Sequence, residues 1–222
     1  MNIPPRLLLA LAVLCGVPLA ACSMGGKAQT AHGNSPPSLV EVLRRDSTLV
    51  LDIRYATPNN FTGRKLYPEA RCLLRPGSAE RLTRVQRRLR PHGLGLKLFD
   101  CYRPLAIQRE LWALVPDERY VARPEKGSRH NRASAVDVTL VDEQGRELPM
   151  PSEYDEFTPR AHRDYHGASP ERTANRERLA QAMMAEGFLP LPTEWWHFDA
   201  PDWKEHAVLD VPLSLAAPDT RP

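Results

Sequence analysis

Two histidines, one aspartate and one glutamate are the residues of this sequence best suited to chemistry. His130 and Asp137 lie in one short segment, and Glu194 and His197 lie in a second segment further along the chain. Two imidazoles and one carboxylate leave the fourth position of a tetrahedral zinc ion open for water, as in catalytic zinc sites. His130 and Asp137 alone could equally be surface polar residues, but the second segment favours the metal. The sequence therefore predicts one zinc ion held by His130, Asp137 and His197.

Glu194 is the candidate general base and acid of this site. A zinc peptidase needs a carboxylate that takes a proton from the attacking water and passes it to the leaving amine. Residues three apart in a flat strand point to opposite faces, so Glu194 and His197 can converge only if their segment bends. The alternative role for Glu194 is a hydrogen-bond partner of a ligating histidine.

Arg103 is the candidate electrophile. Attack on an amide builds an oxyanion, which a fixed guanidinium stabilises where water is excluded. Asp100, three residues earlier, could orient the guanidinium, and we count it among the residues that bind substrate. The alternative is that Asp100 and Arg103 form a purely structural ion pair.

The first residues have the pattern of an export signal. Arg6 precedes an apolar run that is too short to span a bilayer, and small residues follow it up to Cys22. We therefore expect residues 1–21 to be a signal peptide. The segment 19–22 resembles a bacterial lipobox, which would make Cys22 the lipid-bearing first residue of the mature protein. Ordinary signal cleavage, with Cys22 as an incidental thiol, is the alternative.

Composition places a single globular domain after this signal. Residues 22–37 are small and polar and predict a flexible tether, and residues 38–222 predict the zinc domain. The formal charge of +3 falls to +2 when Arg6 is removed with the signal. A charge this small implies no nucleic-acid partner. The oligomeric state stays open.

Cys72 and Cys101 remain after Cys15 leaves with the signal and Cys22 takes the lipid. Because an exported chain lives in an oxidising compartment, we expect these two cysteines to form a disulfide. Two buried free thiols are the alternative.

Hydrophobic periodicity predicts a mixed fold without a regular alternation of strands and helices. The fold class is therefore α+β, with a small antiparallel sheet flanked by helices. Glycine and proline residues mark most of the boundaries, such as Gly187 after the last helix. The expected strands are 48–53, 94–98, 135–141 and a short aromatic segment at 194–199, and the expected helices are 78–90, 105–115 and 173–186.

Several motifs together resemble one family. The chain is similar to the D-alanyl-D-alanine dipeptidases of the vancomycin-resistance type, in the zinc D-Ala-D-Ala peptidase and hedgehog-like superfamily (peptidase family M15). The motifs lie at residues 52–57, 60–63, 100–104, 128–137 and 194–198. The resemblance implies a hedgehog-like α+β fold and the three zinc ligands given above, with Glu194 as catalytic base and Arg103 stabilising the transition state. It also implies that Tyr55, Ser128 and Asp155 line a dipeptide pocket, with Asp155 facing the substrate ammonium.

The sequence departs from the family pattern in two places. Ala133 occupies a position that is usually glycine, and an alanine there is strained if the turn requires a positive φ. The segment between Arg103 and Ser128 is also short, which predicts a different lid over the pocket. Export is a further difference from a resistance enzyme, which must destroy a cytoplasmic precursor.

The expected function is zinc-dependent hydrolysis of the D-Ala-D-Ala dipeptide, linked to peptidoglycan turnover. One alternative is a zinc carboxypeptidase that trims peptidoglycan stem peptides, and another is a non-catalytic zinc lipoprotein that binds cell wall. Through Cys22 we expect membrane anchoring in the periplasm. Ser23 after Cys22 favours the outer membrane over the inner.

Overall fold

The computed structural model describes residues 38–216. The predicted signal peptide (1–21), the lipid site at Cys22 and the tether (22–37) lie outside the described residues. Within residues 38–216, no helix combines the length and the apolar character needed to span a bilayer.

A five-stranded sheet forms the centre of the fold, with strand order β2-β4-β5-β7-β6. Only the β2–β4 pair is parallel, and the other three pairs are antiparallel. A separate pair, β1 and β3, is antiparallel. The α+β class with a small, mainly antiparallel sheet is therefore confirmed. The strands are β1 (Val40–Glu41), β2 (Val50–Leu51), β3 (Leu73–Leu74), β4 (Leu94–Asp100), β5 (Ala135–Asp142), β6 (Leu189–Pro190) and β7 (His197–Asp199).

The predicted strand at 48–53 is wrong in length, because turns occupy both of its ends. The carboxylate of Asp46 accepts hydrogen bonds from the Thr48 amide and hydroxyl, an arrangement that competes with strand pairing. A 3₁₀ turn, Arg54–Ala56, follows on the other side. Only Val50–Leu51 remains to pair with β4.

Within residues 38–216 the α-helices are α1 (Pro76–Leu89), α2 (Leu105–Leu114) and α3 (Pro170–Ala185). Both α1 and α3 begin before their predicted first residues, because a proline occupies the first turn of each, where no amide donor is needed. Ser169 caps α3 by accepting from the Arg172 amide, and Gly187, with φ 86°, follows its end as predicted.

A bulge in β4 aligns the residues of interest. Leu98 pairs with Val138, but Asp100 pairs with Asp137, so β4 has one extra residue at this point. In the next pair of strands, Asp137 lies directly opposite His197. The carboxyl end of β4 thus lies beside Asp137 of β5 and the start of β7, on one side of the sheet.

A disulfide between Cys72 and Cys101 joins the residue before β3 to the residue after β4. Their Cα atoms are 5.2 Å apart, and both residues are fully buried. The segment after β4 is therefore attached covalently to a second part of the chain.

Candidate metal and substrate site

The predicted metal ligands converge around Asp137 of β5, where β4 ends and β7 begins. His130 lies in a 3₁₀ turn, His130–Arg132, just before β5. The three predicted ligands, His130, Asp137 and His197, are all buried. His197 Nδ1 is 3.0 Å from Asp137 Oδ1 and 3.1 Å from His130 Nε2. His130 Nε2 is 3.3 Å from the same Asp137 oxygen. One ligand atom from each residue therefore lies at a corner of a small triangle.

Neighbouring acceptors set the orientation of both imidazoles. His130 Nδ1 donates to the Cys101 carbonyl at 2.8 Å, which leaves Nε2 with a lone pair. His197 Nε2 donates to Asp199 Oδ1 at 2.9 Å, so its Nδ1 faces the triangle. Each ring thus presents one nitrogen to the common centre and uses the other for support.

The triangle fits a divalent metal ion. Ligand atoms of a tetrahedral zinc ion, each ~2.0–2.1 Å from the metal, are about 3.3 Å from one another. The observed separations of 3.0 to 3.3 Å match this value. Among residues 38–216, this is the group of histidine, cysteine and acidic side chains that can hold a metal.

The carboxylates around the metal triangle favour a positive charge there. Burial lowers the pKa of His197, but hydrogen bonds with Asp137 and Asp199 outweigh burial and raise that pKa to about 10. The charge can therefore be a proton on His197 or a metal ion. Because a ligating histidine must be neutral, metal binding releases that proton.

Glu194 lies beside the triangle, in the bend that precedes β7. Its Oε2 is 3.8 Å from His197 Nδ1, so the bend provides the convergence that a flat strand would prevent. Burial raises the pKa of Glu194 to about 7, and the nearby His197 opposes this rise. A carboxylate with such a pKa can both accept and release a proton near neutral pH.

Arg103 is held in one orientation by two residues. Its Nε and Nη2 donate to Asp100 Oδ2 at 3.0 and 2.6 Å, and its Nη1 donates to Gln108 Oε1 at 2.9 Å. Asp100 is fully buried and also accepts from the Tyr67 hydroxyl. It lies behind Arg103 and does not line the cavity. Its oxygens bind Arg103 and Tyr67, so the structure gives Asp100 the role of orienting Arg103, and substrate binding by Asp100 stays a prediction.

The other predicted substrate residues do line the cavity, and two of them contact each other. The Tyr55 hydroxyl donates to Asp155 Oδ2 at 2.8 Å, although the two residues are far apart in sequence. Asp155 has a positive φ of 57°, a strained conformation for this residue. Enclosure by protein raises the pKa of the Asp155 carboxyl well above its usual value, and Asp137 adds to the rise. A cation beside Asp155 would restore its ionised form.

A cavity of about 150 Å³ connects these groups. The metal triangle and Glu194 lie on its wall together with Arg103, Ser128 and the Tyr55–Asp155 pair. The cavity is small, since pockets for drug-sized ligands measure roughly 300–1,000 Å³. Its dimensions suit a ligand of very few residues.

Three supporting residues were not predicted from sequence. The Tyr154 hydroxyl donates to Asp137 Oδ2 at 2.9 Å, which leaves Oδ1 for the metal triangle. Asp199 supports His197 by accepting a hydrogen bond from its Nε2. Because residues two apart in a strand point to the same face, the position of Asp199 could have indicated this contact from sequence. Gln108 joins Arg103 to the Ala122 carbonyl of the following loop. Nothing in the local pattern around Tyr154 or Gln108 indicated these long-range contacts.

Ala133 does adopt the conformation that favours glycine. Its φ of 56° lies in the left-handed region, in the turn between His130 and Asp137. This conformation costs an L-residue roughly 1–2 kcal/mol. The methyl group is fully buried, and burying one methyl stabilises by about 0.8 kcal/mol. Packing therefore offsets much of the strain, and the turn still places both ligands.

The buried donor triangle, the adjacent carboxylate and the cavity that they line define a metallopeptidase. Comparisons with known proteins agree with this class. Residues 38–213 match the family model of the D-Ala-D-Ala dipeptidases, the M15 peptidases. The chain belongs to this metal-dependent family, and the predicted resemblance is confirmed.

Three similar proteins carry the same description. The chain is 36% identical to a D-alanyl-D-alanine dipeptidase of Escherichia coli over 161 residues, which cover 72% of this chain and 83% of the relative. It is 35% identical to the enzyme of that name from Enterococcus faecium, over 66% of this chain and 83% of the relative. A Streptomyces coelicolor dipeptidase is 34% identical over the same shares.

Proposed function

We propose that this chain is a zinc dipeptidase that hydrolyses D-alanyl-D-alanine. The observation that carries the proposal is one cavity that has the metal triangle and Glu194 on its wall together with the Tyr55–Asp155 pair. The three donors, two imidazole nitrogens and one carboxylate oxygen, form a set that zinc accepts. The names of the relatives support the choice of dipeptide.

The residues of the site divide the reaction between them. A bound zinc ion supplies Lewis-acid chemistry that polarises a carbonyl and lowers the pKa of water. Glu194 Oε2 takes a proton from the attacking water, whose oxygen bonds to the scissile carbonyl carbon. The C–N bond then breaks, and Glu194 delivers the proton to the leaving amine. The guanidinium of Arg103 stabilises the negative charge that develops on the carbonyl oxygen.

Asp155 supports a dipeptide over a longer substrate. A dipeptide has a free ammonium group close to its single peptide bond, and the enclosed Asp155 carboxylate is a suitable partner for that cation. A stem peptide would place an uncharged amide beside Asp155 instead of a cation. We therefore favour the dipeptidase over the carboxypeptidase.

A substrate panel tests this proposal. The purified chain with zinc is incubated with D-Ala-D-Ala and with a stem pentapeptide, and released D-Ala is measured. We expect turnover of the dipeptide alone. Glu194→Gln removes the proton carrier but no metal ligand, so turnover should fall by about 10²–10⁴-fold while bound zinc is unchanged.

Three outcomes would contradict the proposal or part of it. If D-Ala is released from the pentapeptide but not from the dipeptide, the chain is a carboxypeptidase. Zinc binding without turnover of either peptide would identify a non-catalytic zinc protein. Equal turnover by the wild type and Glu194→Gln would remove Glu194 from the mechanism.

We also propose that the chain is exported and anchored by a lipid on Cys22. The support comes from the signal-like residues 1–21 and the lipobox-like segment before Cys22. The substrate would then be D-Ala-D-Ala released during peptidoglycan turnover outside the inner membrane. In the native host, labelled palmitate should be incorporated into the wild-type protein but not into Cys22→Ala. Equal labelling of the two proteins would exclude a lipid anchor at Cys22.

A further inference from the structure

Four aromatic rings from three separate chain segments form one side of the cavity. The Tyr55 and Phe61 centroids are 6.2 Å apart, and the Phe61 and Phe157 centroids are 5.1 Å apart. Tyr120 stacks on Phe157 at 4.7 Å, with an angle of 26° between the ring planes. All four residues line the cavity, and we call them the aromatic wall.

The aromatic wall lies at the Asp155 end of the cavity. Its first ring, Tyr55, donates its hydroxyl hydrogen to Asp155 Oδ2. Phe157 follows Asp155 by two residues in the same loop. The aromatic wall therefore begins beside the position that the proposed function assigns to the ammonium group of the substrate.

The loop that carries Tyr120 is attached to the rest of the site. The Ala122 carbonyl accepts from Gln108 Nε2 at 2.8 Å, and Gln108 Oε1 accepts from Arg103. The Tyr120 amide donates to the Asp117 carbonyl within the loop. These bonds keep Tyr120 stacked on Phe157 while Arg103 faces the cavity.

We propose that the aromatic wall, through Phe157 and Tyr120, is the element that restricts this enzyme to dipeptides, because its rings occupy the space that a third residue would need. The inference rests on the proposed function and adds its chain-length determinant. A peptide lengthened at its amino end extends by about 3.5 Å per residue. Beyond Asp155, such an extension meets the rings of Phe157 and Tyr120.

This steric restriction is separable from recognition of charge. Asp155 favours a free ammonium at one distance from the scissile bond, and its removal should weaken binding of every substrate that has this group. The aromatic wall contributes no charge, so its removal should act on longer peptides selectively. When a pocket accepts or excludes one small apolar group by size, the kcat/KM values of the two substrates differ by about 10–200-fold.

The test uses the full chain with zinc and the variants Phe157→Ala and Tyr120→Ala, alone and combined. Consumption of D-Ala-D-Ala and of D-Ala-D-Ala-D-Ala is followed by mass spectrometry at low substrate concentration. The ratio of the two kcat/KM values, tripeptide over dipeptide, should rise by about tenfold or more in the combined variant. Tyr165→Ala, which removes an aromatic ring outside the cavity, should leave the ratio unchanged.

The outcomes separate this inference from the proposed function. A combined variant that hydrolyses the dipeptide but keeps the wild-type ratio would overturn the inference and leave the proposed function intact. A wild-type enzyme without dipeptidase activity would overturn both. If thermal melting shows that the combined variant is unfolded, Tyr120→Ala decides alone, since this ring lies on a surface loop. An unchanged ratio in that variant then counts against the inference.

Discussion

At the scale of single residues, the site depends on pairs in which one partner supports the other. His197 presents Nδ1 to the metal triangle because Asp199 accepts from its Nε2. Asp137 presents Oδ1 because the Tyr154 hydroxyl donates to its Oδ2. Such support sets the orientation and basicity of a metal ligand, so it contributes to affinity without touching the metal.

Asp199→Asn tests this support. The amide keeps an acceptor oxygen but loses the negative charge that strengthens His197 as a ligand. We expect zinc affinity to fall by about 10–100-fold, measured by competition with a chromophoric chelator.

Asp202→Asn is the matched control for Asp199→Asn. Asp202 lies near Asp199 in sequence, and its Oδ2 is 3.5 Å from His206 Nε2 rather than beside a metal ligand. The Asp202→Asn variant should bind zinc with the affinity of the wild type. Equal affinities in wild type and both variants would show that Asp199 has no role in metal binding.

At the scale of elements, the register of three strands places the site. The bulge after Leu98 aligns Asp100 with Asp137, and Asp137 lies opposite His197. The Cys72–Cys101 disulfide then joins β3 to the segment after β4, where the Cys101 carbonyl accepts from His130. The disulfide thus stabilises both the fold and the backbone acceptor that orients one metal ligand.

Replacing both Cys72 and Cys101 with alanine should destabilise the domain. The two cysteines are separated by 29 residues, and closing a loop of this length stabilises the folded state by about 3–4 kcal/mol in the chain-entropy model. Urea denaturation of the oxidised wild type and of the double variant measures the difference. A loss below about 1 kcal/mol would show that native packing alone holds these segments together.

At the scale of the whole molecule, we expect metal binding and folding to be coupled. The three ligands come from positions that only the assembled sheet brings together, so the unfolded chain has no comparable site. Zinc at a concentration of 100 times its Kd should stabilise the fold by about 2.7 kcal/mol.

Removing zinc with a chelator should therefore lower the Tm by roughly 5–10 °C for a domain of this size, and added zinc should restore it. Thermal melts followed by circular dichroism measure the change. Glu194→Gln keeps all three ligands and should show the same shift, whereas His197→Ala should show almost none. A chelator effect of equal size in His197→Ala would mean that the metal binds elsewhere.

The sequence by itself determined the chemistry of the site and the class of the fold. Residue types and spacing predicted the donors His130, Asp137 and His197, with Glu194 beside them, because few side chains bind zinc or transfer protons. Hydrophobic periodicity predicted the helices and the long strands because it follows directly from which face is buried.

Only the tertiary structure decided which groups support these residues and how large the cavity is. Tyr154 contacts Asp137, Gln108 links Arg103 to the Ala122 loop, and Asp100 turned out to lie behind Arg103. The aromatic wall, too, consists of rings from three separate segments. Contacts of this kind join residues far apart in sequence, so no local pattern records them, and they form only when strand register and loop packing place the side chains together.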